Sequence, residues 1–200
     1  NKEKLNGKVF MSETKEKLAN YIDAGVPILY INSYEENKID DLIKEVIVER
    51  RAFEWSEALG VCDFKTGERQ SQFSLKEYLQ TLINSGLEDE LNRKVLVLKD
   101  IHSCFCENNP DRANIIALLK YICLKIIQSL DAVIIMVAPI LTIPTELEKF
   151  ITIIEPEYPD EKKIERLVQK FADENESDIS APLLEDMALA FKGLTDFEIK

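Results

Sequence analysis

Two groups of ionisable residues stand where open α/β sheets do their chemistry, directly behind apolar runs. Glu35 and Glu36 follow Val26–Ile31 (VPILYI), and Lys99-Asp100 follows Val95–Leu98 (VLVL), with His102, Cys104 and Cys106 close behind. Carboxylates at strand ends serve as Mg²⁺ ligands or phosphoacceptors, and a Cys beside a His is a nucleophile pair. A third chemistry is conspicuous by its missing part. Gripping a nucleotide's phosphates requires a glycine-containing turn whose successive N–H groups wrap them, followed by a Lys and a Ser or Thr. The junction Asn32-Ser33-Tyr34-Glu35-Glu36-Asn37-Lys38 contains no glycine, and two carboxylates stand where a polyphosphate would sit.

Each candidate has a plainer role beside the chemical one. Asp100 suits a strand-end acid that caps nearby backbone or pairs with Lys99 or a helix terminus, and no acidic cluster accompanies it. Glu35 and Glu36 suit the first turn of a helix, where negative charge complements the dipole. His102 is the only histidine and reads as a solvated or hydrogen-bonded loop side chain. The four cysteines, Cys62, Cys104, Cys106 and Cys123, show no C-x-x-C pair and no histidine set that would complete a zinc site, so they read as reduced thiols, with Cys123 filling core. Phe53 and Trp55 read as packing aromatics. The sequence thus assigns no catalytic residue and no metal ligand, and leaves cofactor-binding residues unknown; Asp100, Glu35 and Glu36 are the carboxylates to examine.

The elements that must hold these residues alternate between strand and helix. Ser12 can cap a helix with Leu18, Tyr21 and Ile22 on its apolar face, stopped by Gly25. Val26–Ile31 is a buried strand, and Ser33-x-x-Glu36 is a capping box before the helical repeat of Ile39, Leu42, Ile43, Val46 and Ile47. Ala52–Trp55 is a short strand of edge character, and Gly60–Phe73 reads as a polar loop. Ser74-x-x-Glu77 opens a helix that Gly86 closes. Val95–Leu98 and Ala132–Val137 are strands buried on both faces. Between them lies a helix apolar nearly all round, with Pro110 in its first turn; it is either a central helix or one that also packs on a neighbouring module. Ile151–Ile154 is a fifth strand. From Asp160 the pattern is helical only. Such alternation predicts right-handed βαβ units: an α/β fold with a five-stranded, mostly parallel sheet, helices on both faces, and a small helical lid. The expected division is 1–157 for the α/β domain and 158–200 for a partial lid.

The bulk properties narrow the setting. A net charge of −12 over 200 residues argues against a nucleic-acid surface. The apolar stretch Ile115–Ile143 is interrupted by Lys120, Lys125, Gln128 and Asp131, so no membrane span is expected. No signal peptide is visible, and a cytoplasmic location is the expectation. Residue 1 is Asn rather than Met, and Thr195-Asp196-Phe197-Glu198 is a capping box opening a further helix, so the chain is expected to continue past Lys200.

The segments Ala138-Pro139, Ile143-Pro144-Thr145-Glu146-Leu147-Glu148-Lys149-Phe150 and Ile154-Glu155-Pro156-Glu157-Tyr158-Pro159-Asp160-Glu161 resemble the passage from the fourth strand to the fifth and into the lid of AAA-type ATPases of the P-loop NTPase superfamily. Phe191-Lys192-Gly193-Leu194-Thr195-Asp196-Phe197-Glu198-Ile199 is similar to that family's lid motif. In particular the chain resembles the degenerate first module of two-module members. The resemblance implies ATP and Mg²⁺ in the parent protein, in a complete module beyond Lys200, and none in this fragment. At the Walker B position it places Lys99 and Asp100, where a metal-binding Asp and a water-polarising Glu are expected, and a cation there repels Mg²⁺. Shifting the register by one puts Ile101 at the base position. The polar sensor falls on Ala138-Pro139, and the arginine-finger position near Glu148-Lys149-Phe150 holds Lys149, which lacks the planar fork.

Two functional expectations follow. In the first, this is a non-catalytic AAA-like module for assembly or regulation, with the adjoining ATPase module of the same chain as partner; self-association into a homo-oligomer is compatible with it. In the second, Asp100 joins Glu35 or Glu36 in a Mg²⁺-dependent phosphoryl-transfer or hydrolytic site, which requires the first and third strands to flank one crevice. A receiver-like scaffold that binds no ligand is a further alternative.

Overall fold

The computed structural model describes residues 3–196 and 198–199. Glu13–Glu155 form one compact unit, and the chain up to Ser12 and from Pro156 on is grouped in a second. The first unit is built on a seven-stranded sheet of order β4-β3-β2-β5-β6-β1-β7. Its strands are β1 (Ile28–Asn32), β2 (Arg51–Ser56), β3 (Gly60–Asp63), β4 (Arg69–Ser71), β5 (Lys94–Lys99), β6 (Ala132–Ala138) and β7 (Ile151–Ile154). All neighbours from β2 to β7 pair in parallel, whereas β3 and β4 add on antiparallel at one edge. The α/β reading therefore holds, and all five expected strands are present.

Two expectations about that edge are corrected. Gly60–Phe73 is a hairpin rather than a loop, and β2 is interior rather than an edge. The hairpin turn is set by Asp63, whose Oδ1 accepts from Lys65 N at 3.0 Å, Thr66 N at 2.9 Å and Thr66 Oγ1 at 3.1 Å. These bonds, the Thr66 amide first, hold the Asp63 carboxyl below its ordinary value. The side chain supplies the turn that periodicity cannot reveal. With β3 paired beside it, Trp55 is 1% exposed, and its Nε1 donates to the Phe73 carbonyl at 3.0 Å.

The period-2 alternation of the strands sorts side chains into two cores. Leu96, Leu98, Ile134, Met136, Ile28 and Tyr30 face one side. There they meet helices α3 (Leu75–Ser85), α4 (Leu87–Leu91) and α5 (Arg112–Gln128). Val95, Val97, Val133, Ile135, Leu29 and Ile31 face the other. On that side lie residues 13–23 of α1 (Glu3–Asp23), through Leu18 and Ile22, and α2 (Glu36–Val46), through Ile39, Leu42 and Ile43.

Helix ends show which local signals were real. Gly25, at φ +71°, ends α1: its N–H donates to Ile22 O and Val26 N–H to Tyr21 O, a Schellman arrangement. Ser12 lies inside this helix instead of capping it. Ser74 and Glu77 form the expected capping box. Ser33 and Glu36 do not: α2 begins behind Glu35, and Ser33 Oγ accepts from Glu35 N at 3.0 Å in a local turn. Pro110 precedes α5, whose N-cap is Asp111.

The second unit contains α6 (Glu161–Glu174) and α7 (Ala181–Ala190), packed through Ile164, Val168, Ala188 and Ile199. Asp160 caps α6 by accepting from Lys163 N at 2.8 Å. Thr195 and Glu198 exchange the hydrogen bonds of a capping box; Phe197 lies outside the described residues. Among the described residues, no helix is long and apolar enough to cross a membrane.

Candidate functional site

The carboxyl ends of β5, β6 and β1 lie level, with Lys99 beside Val137 and Asn32 beside Ala138. The chain leaves β1 toward the α2 face, whereas the segment leaving β6 feeds Leu147 into the opposite core. In open α/β sheets such a divergence creates the ligand crevice. Here the two sides are bonded to each other. Asn32 Nδ2 donates to Ala138 O at 3.4 Å and to Pro139 O at 3.2 Å, and Ser33 N–H donates to Ala138 O at 3.2 Å. The Glu35 N–H is likewise committed to Ser33 Oγ, and Lys38 Nζ donates to Glu35 Oε2 at 2.8 Å. Tyr30, buried beneath this closure, donates its hydroxyl to Ile140 O at 2.8 Å, and burial pushes its phenol above the ordinary value.

The most charged point of the site is Lys99. Its parity with Val95 and Val97 turns the side chain onto the α2 face rather than into solvent. There Nζ lies 2.6 Å from Asp40 Oδ2, 3.3 Å from Glu54 Oε2 and 3.5 Å from Glu36 Oε2. Glu36 and Asp40 are one helical turn apart, so α2 presents both to the same ammonium, and β2 supplies Glu54 on the shared face. Burial acts first on Lys99 and disfavours its charge. The hydrogen bond and charge of Asp40, then the charges of Glu54 and Glu36, outweigh that and hold the group above its ordinary 10.5. Lys99 is the one buried charged side chain among the described residues. Asp40 Oδ1 is buried with no hydrogen-bond partner among them, so the cluster is rich in negative charge around one cation.

The carboxylates singled out from sequence are distributed rather than gathered. Glu36 belongs to the Lys99 cluster, and Glu35 pairs with Lys38 at the helix entry. Asp100 adopts a left-handed conformation, φ +52°, and its carbonyl accepts from Ser103 N and Oγ as the chain turns into the short 3₁₀ segment Ile101–Phe105. Its carboxylate is half exposed and lies 3.9 Å from His102 Nδ1; Lys99 pairs with the three carboxylates above instead. Asp100 lies against His102, Glu35 against Lys38 and Glu36 against Lys99, so the contacts of the three carboxylates are with other residues rather than with one another. No group of three or more His, Cys, Asp and Glu among the described residues is placed to hold a metal ion.

The thiols are separated by exposure. Cys104 and Cys123 are buried, which pushes them up to about 11 and about 12, while Cys106 is exposed and lies 3.5 Å from the His102 carbonyl. Lys149 sits in the 3₁₀ turn Glu148–Phe150, outside the core. Sequence reasoning missed Asp40 and Glu54. The signal available is a lysine in phase with the buried valines of its strand, and two acids spaced i, i+4 on the helix that follows β1.

An ammonium ringed by carboxylates at the end of β5, and loop amides already bonded at the end of β1, do not fit a Mg²⁺–nucleotide. A divalent cation would meet Lys99 before any ligand, and the Ser33 and Glu35 amides point to protein acceptors.

Comparison with known proteins adds lineage to this geometry. Residues 14–156 match the family described as SpoVK-like AAA ATPase, N-terminal domain. The sequence is 26% identical over 192 residues to an uncharacterized AAA domain-containing protein, ycf46, of Guillardia theta, covering 94% of this chain and 36% of that protein. The chain thus spans about a third of that relative's length. Its fold is similar to the FIGL-1 AAA domain solved in complex with ADP, with TM-score 0.58 and 14% identity over 98% of this chain and 67% of that one. It is similar also to a chain of an E. coli MS115-1 HORMA:CdnC:Trip13 complex, with TM-score 0.59 and 13% identity over 90% and 72% of the two chains.

Proposed function

The chain belongs to the SpoVK-like AAA ATPase N-terminal domain family, and from that premise we propose that it is a non-catalytic AAA-type module serving assembly or regulation. Its partner is an adjoining module of the same protein, and that module binds ATP and Mg²⁺ and carries out hydrolysis. The observation that carries this reading is the Lys99 cluster. At the strand end where an ATPase holds its metal, this chain holds an ammonium within 3.5 Å of three carboxylates. The closure of the β1–β6 crevice by Asn32 supports it, since that space is where phosphates enter in related folds. A protein built this way keeps the shape of an ATPase module, and with it the surfaces that meet neighbours, while its own switch is fixed.

Titration of ATP–Mg²⁺ into the chain in a calorimeter tests the proposal. The expected result is no saturable heat at ligand concentrations up to the millimolar range. A micromolar dissociation constant overturns it.

A further inference from the structure

Helix α5 has two faces of opposite character. Inward, Ile115, Ile116, Leu119, Ile122, Cys123 and Ile126 are buried in the sheet-facing core. Outward, Tyr121, Leu124 and Ile127 are 45%, 44% and 59% exposed, and with Ala117 they form a stripe spaced three to four residues apart. Single exposed apolar residues are ordinary, but a row of them along one helix marks a contact surface.

The charge on this helix sets the kind of contact. From Arg112 to Gln128 it carries Arg112, Lys120 and Lys125 and no acidic residue, in a chain of net charge −12. A 3.6-residue turn sets Lys120 and Lys125 roughly 140° apart: Lys120 falls in line with Ala117 and Leu124, within the stripe, and Lys125 lies beside it past Tyr121. Arg112 is turned aside, its Nε donating to the Phe105 carbonyl. Lys125 Nζ lies 5.7 Å over the Tyr121 ring and 3.5 Å from Gln128 Oε1. Neither lysine is paired with a carboxylate among the described residues, although the chain has 37 acidic residues to offer.

We propose that the outer face of α5 docks an acidic amphipathic helix of a protein partner. The partner's apolar residues pack on Tyr121, Leu124 and Ile127, and its carboxylates meet Lys120 within the stripe and Lys125 beside it. The proposal rests on the assembly reading above and names the surface and the partner chemistry for it. A second copy docked α5 to α5 brings four lysines together, and an anionic membrane repels the chain's overall charge of −12. A single acidic helix meets only the local patch.

The probe is a fluorescein-labelled synthetic helix of about three heptads, with leucine at its a and d positions and glutamate at the flanking ones. The control peptide carries lysine in place of glutamate. Fluorescence anisotropy with the whole chain is expected to give saturable micromolar binding of the acidic peptide and binding about tenfold weaker for the basic one. Leu124→Ser with Ile127→Ser is expected to abolish binding, and Lys120→Glu with Lys125→Glu to reverse the peptide preference. All four side chains lie on the outer face, so thermal melts of the variants should match the parent and confirm folding.

Equal binding of both peptides, no binding of the acidic one, or undiminished binding by the serine variant overturns the proposal. So does a dimer in sedimentation equilibrium that the serine variant dissolves, or serine-sensitive binding to phosphatidylserine vesicles. Peptide failure with no ATP binding removes only the partner assignment. Peptide binding together with ATP binding removes only the non-catalytic reading.

Discussion

The ammonium of Lys99 lies 2.6 Å from Oδ2 of Asp40, joining the end of β5 to the first turns of α2. With Glu36 and Glu54 also within 3.5 Å, one cation offsets three carboxylates. Removing it leaves like charges facing one another in a mostly buried pocket, whereas removing one acid only thins an excess. Lys99→Met is therefore expected to destabilise the fold by about 3 kcal/mol, reduced from the cost of breaking a fully buried pair because Glu36 is half exposed. Asp40→Asn is expected to cost less. The double variant should fall short of the sum by about 1 kcal/mol or more, read as a coupling energy from urea unfolding.

The same pair predicts an alkaline limit. The folded-state value of Lys99 is raised above 10.5, so its stabilising contribution is complete below pH 10.5 and is lost as pH climbs through the folded value. The advantage of the parent chain over Lys99→Met should be flat from pH 7 to 10 and shrink above it. A difference that stays constant above pH 10.5 as well, measured by urea midpoints, contradicts the assignment.

Two glycines in one hairpin separate crowding from conformation. Both have positive φ, +70° at Gly60 and +73° at Gly67. A Cβ on Gly60 would collide with the Ser71 carbonyl and stand 2.8 Å from Gln72 Cα, whereas one on Gly67 meets nothing within 4 Å. Gly67→Ala should cost only the left-handed backbone penalty, about 1–2 kcal/mol. Gly60→Ala should cost clearly more, because backbone atoms must move, and should expose Trp55 through loss of β3 pairing. Melting temperature and tryptophan emission maximum read the two effects.

What the sequence made legible follows from period and punctuation. Three of the five parallel strands are visible as continuous apolar runs between helical repeats and β2 and β7 as shorter ones, and the Gly25 and Ser74 helix boundaries are visible because their chemistry is local. The hairpin Gly60–Ser71 was hidden, since its order comes from one Asp63 side chain and from pairing along β2. The closure by Asn32 was hidden for another reason. Its acceptors, Ala138 and Pro139, are more than a hundred residues away, and no local pattern marks a side-chain amide that bonds remote carbonyls. In the sequence Glu36 reads as a helix-entry charge and its partner Lys99 as a defect in a metal site rather than as the centre of a cluster.

The four thiols should react at very different rates. Cys106 is exposed, while Cys62, Cys104 and Cys123 are buried. Moving Cys104 from 9.0 to about 11 lowers its thiolate fraction about 100-fold at neutral pH, before access is counted. Brief treatment with an aromatic disulfide reagent at pH 7.5 should modify one thiol, and peptide mass analysis should place it at Cys106. Modification of Cys104 or Cys123 at a comparable rate would mean that α5 or the segment before it opens readily.

Asn32 offers the sharpest test of the closed crevice, because its amide is a donor facing two carbonyl oxygens. Asn32→Ala removes the donor but leaves Ser33 N–H on Ala138 O, so a cost of about 1 kcal/mol is expected. Asn32→Asp is nearly the same size but at neutral pH puts a charged acceptor against two acceptors, so about 2–3 kcal/mol is expected. That carboxyl regains a donor when protonated, and its folded-state value must lie above the ordinary 3.9 or so of an aspartate. The difference between the two variants should therefore be greatest near neutrality and close as pH falls toward 4, even while both lose stability through other carboxylates. If the gap between Asn32→Asp and Asn32→Ala is independent of pH, the side chain at position 32 does not face those carbonyls, and the space between β1 and β6 is open to a ligand after all.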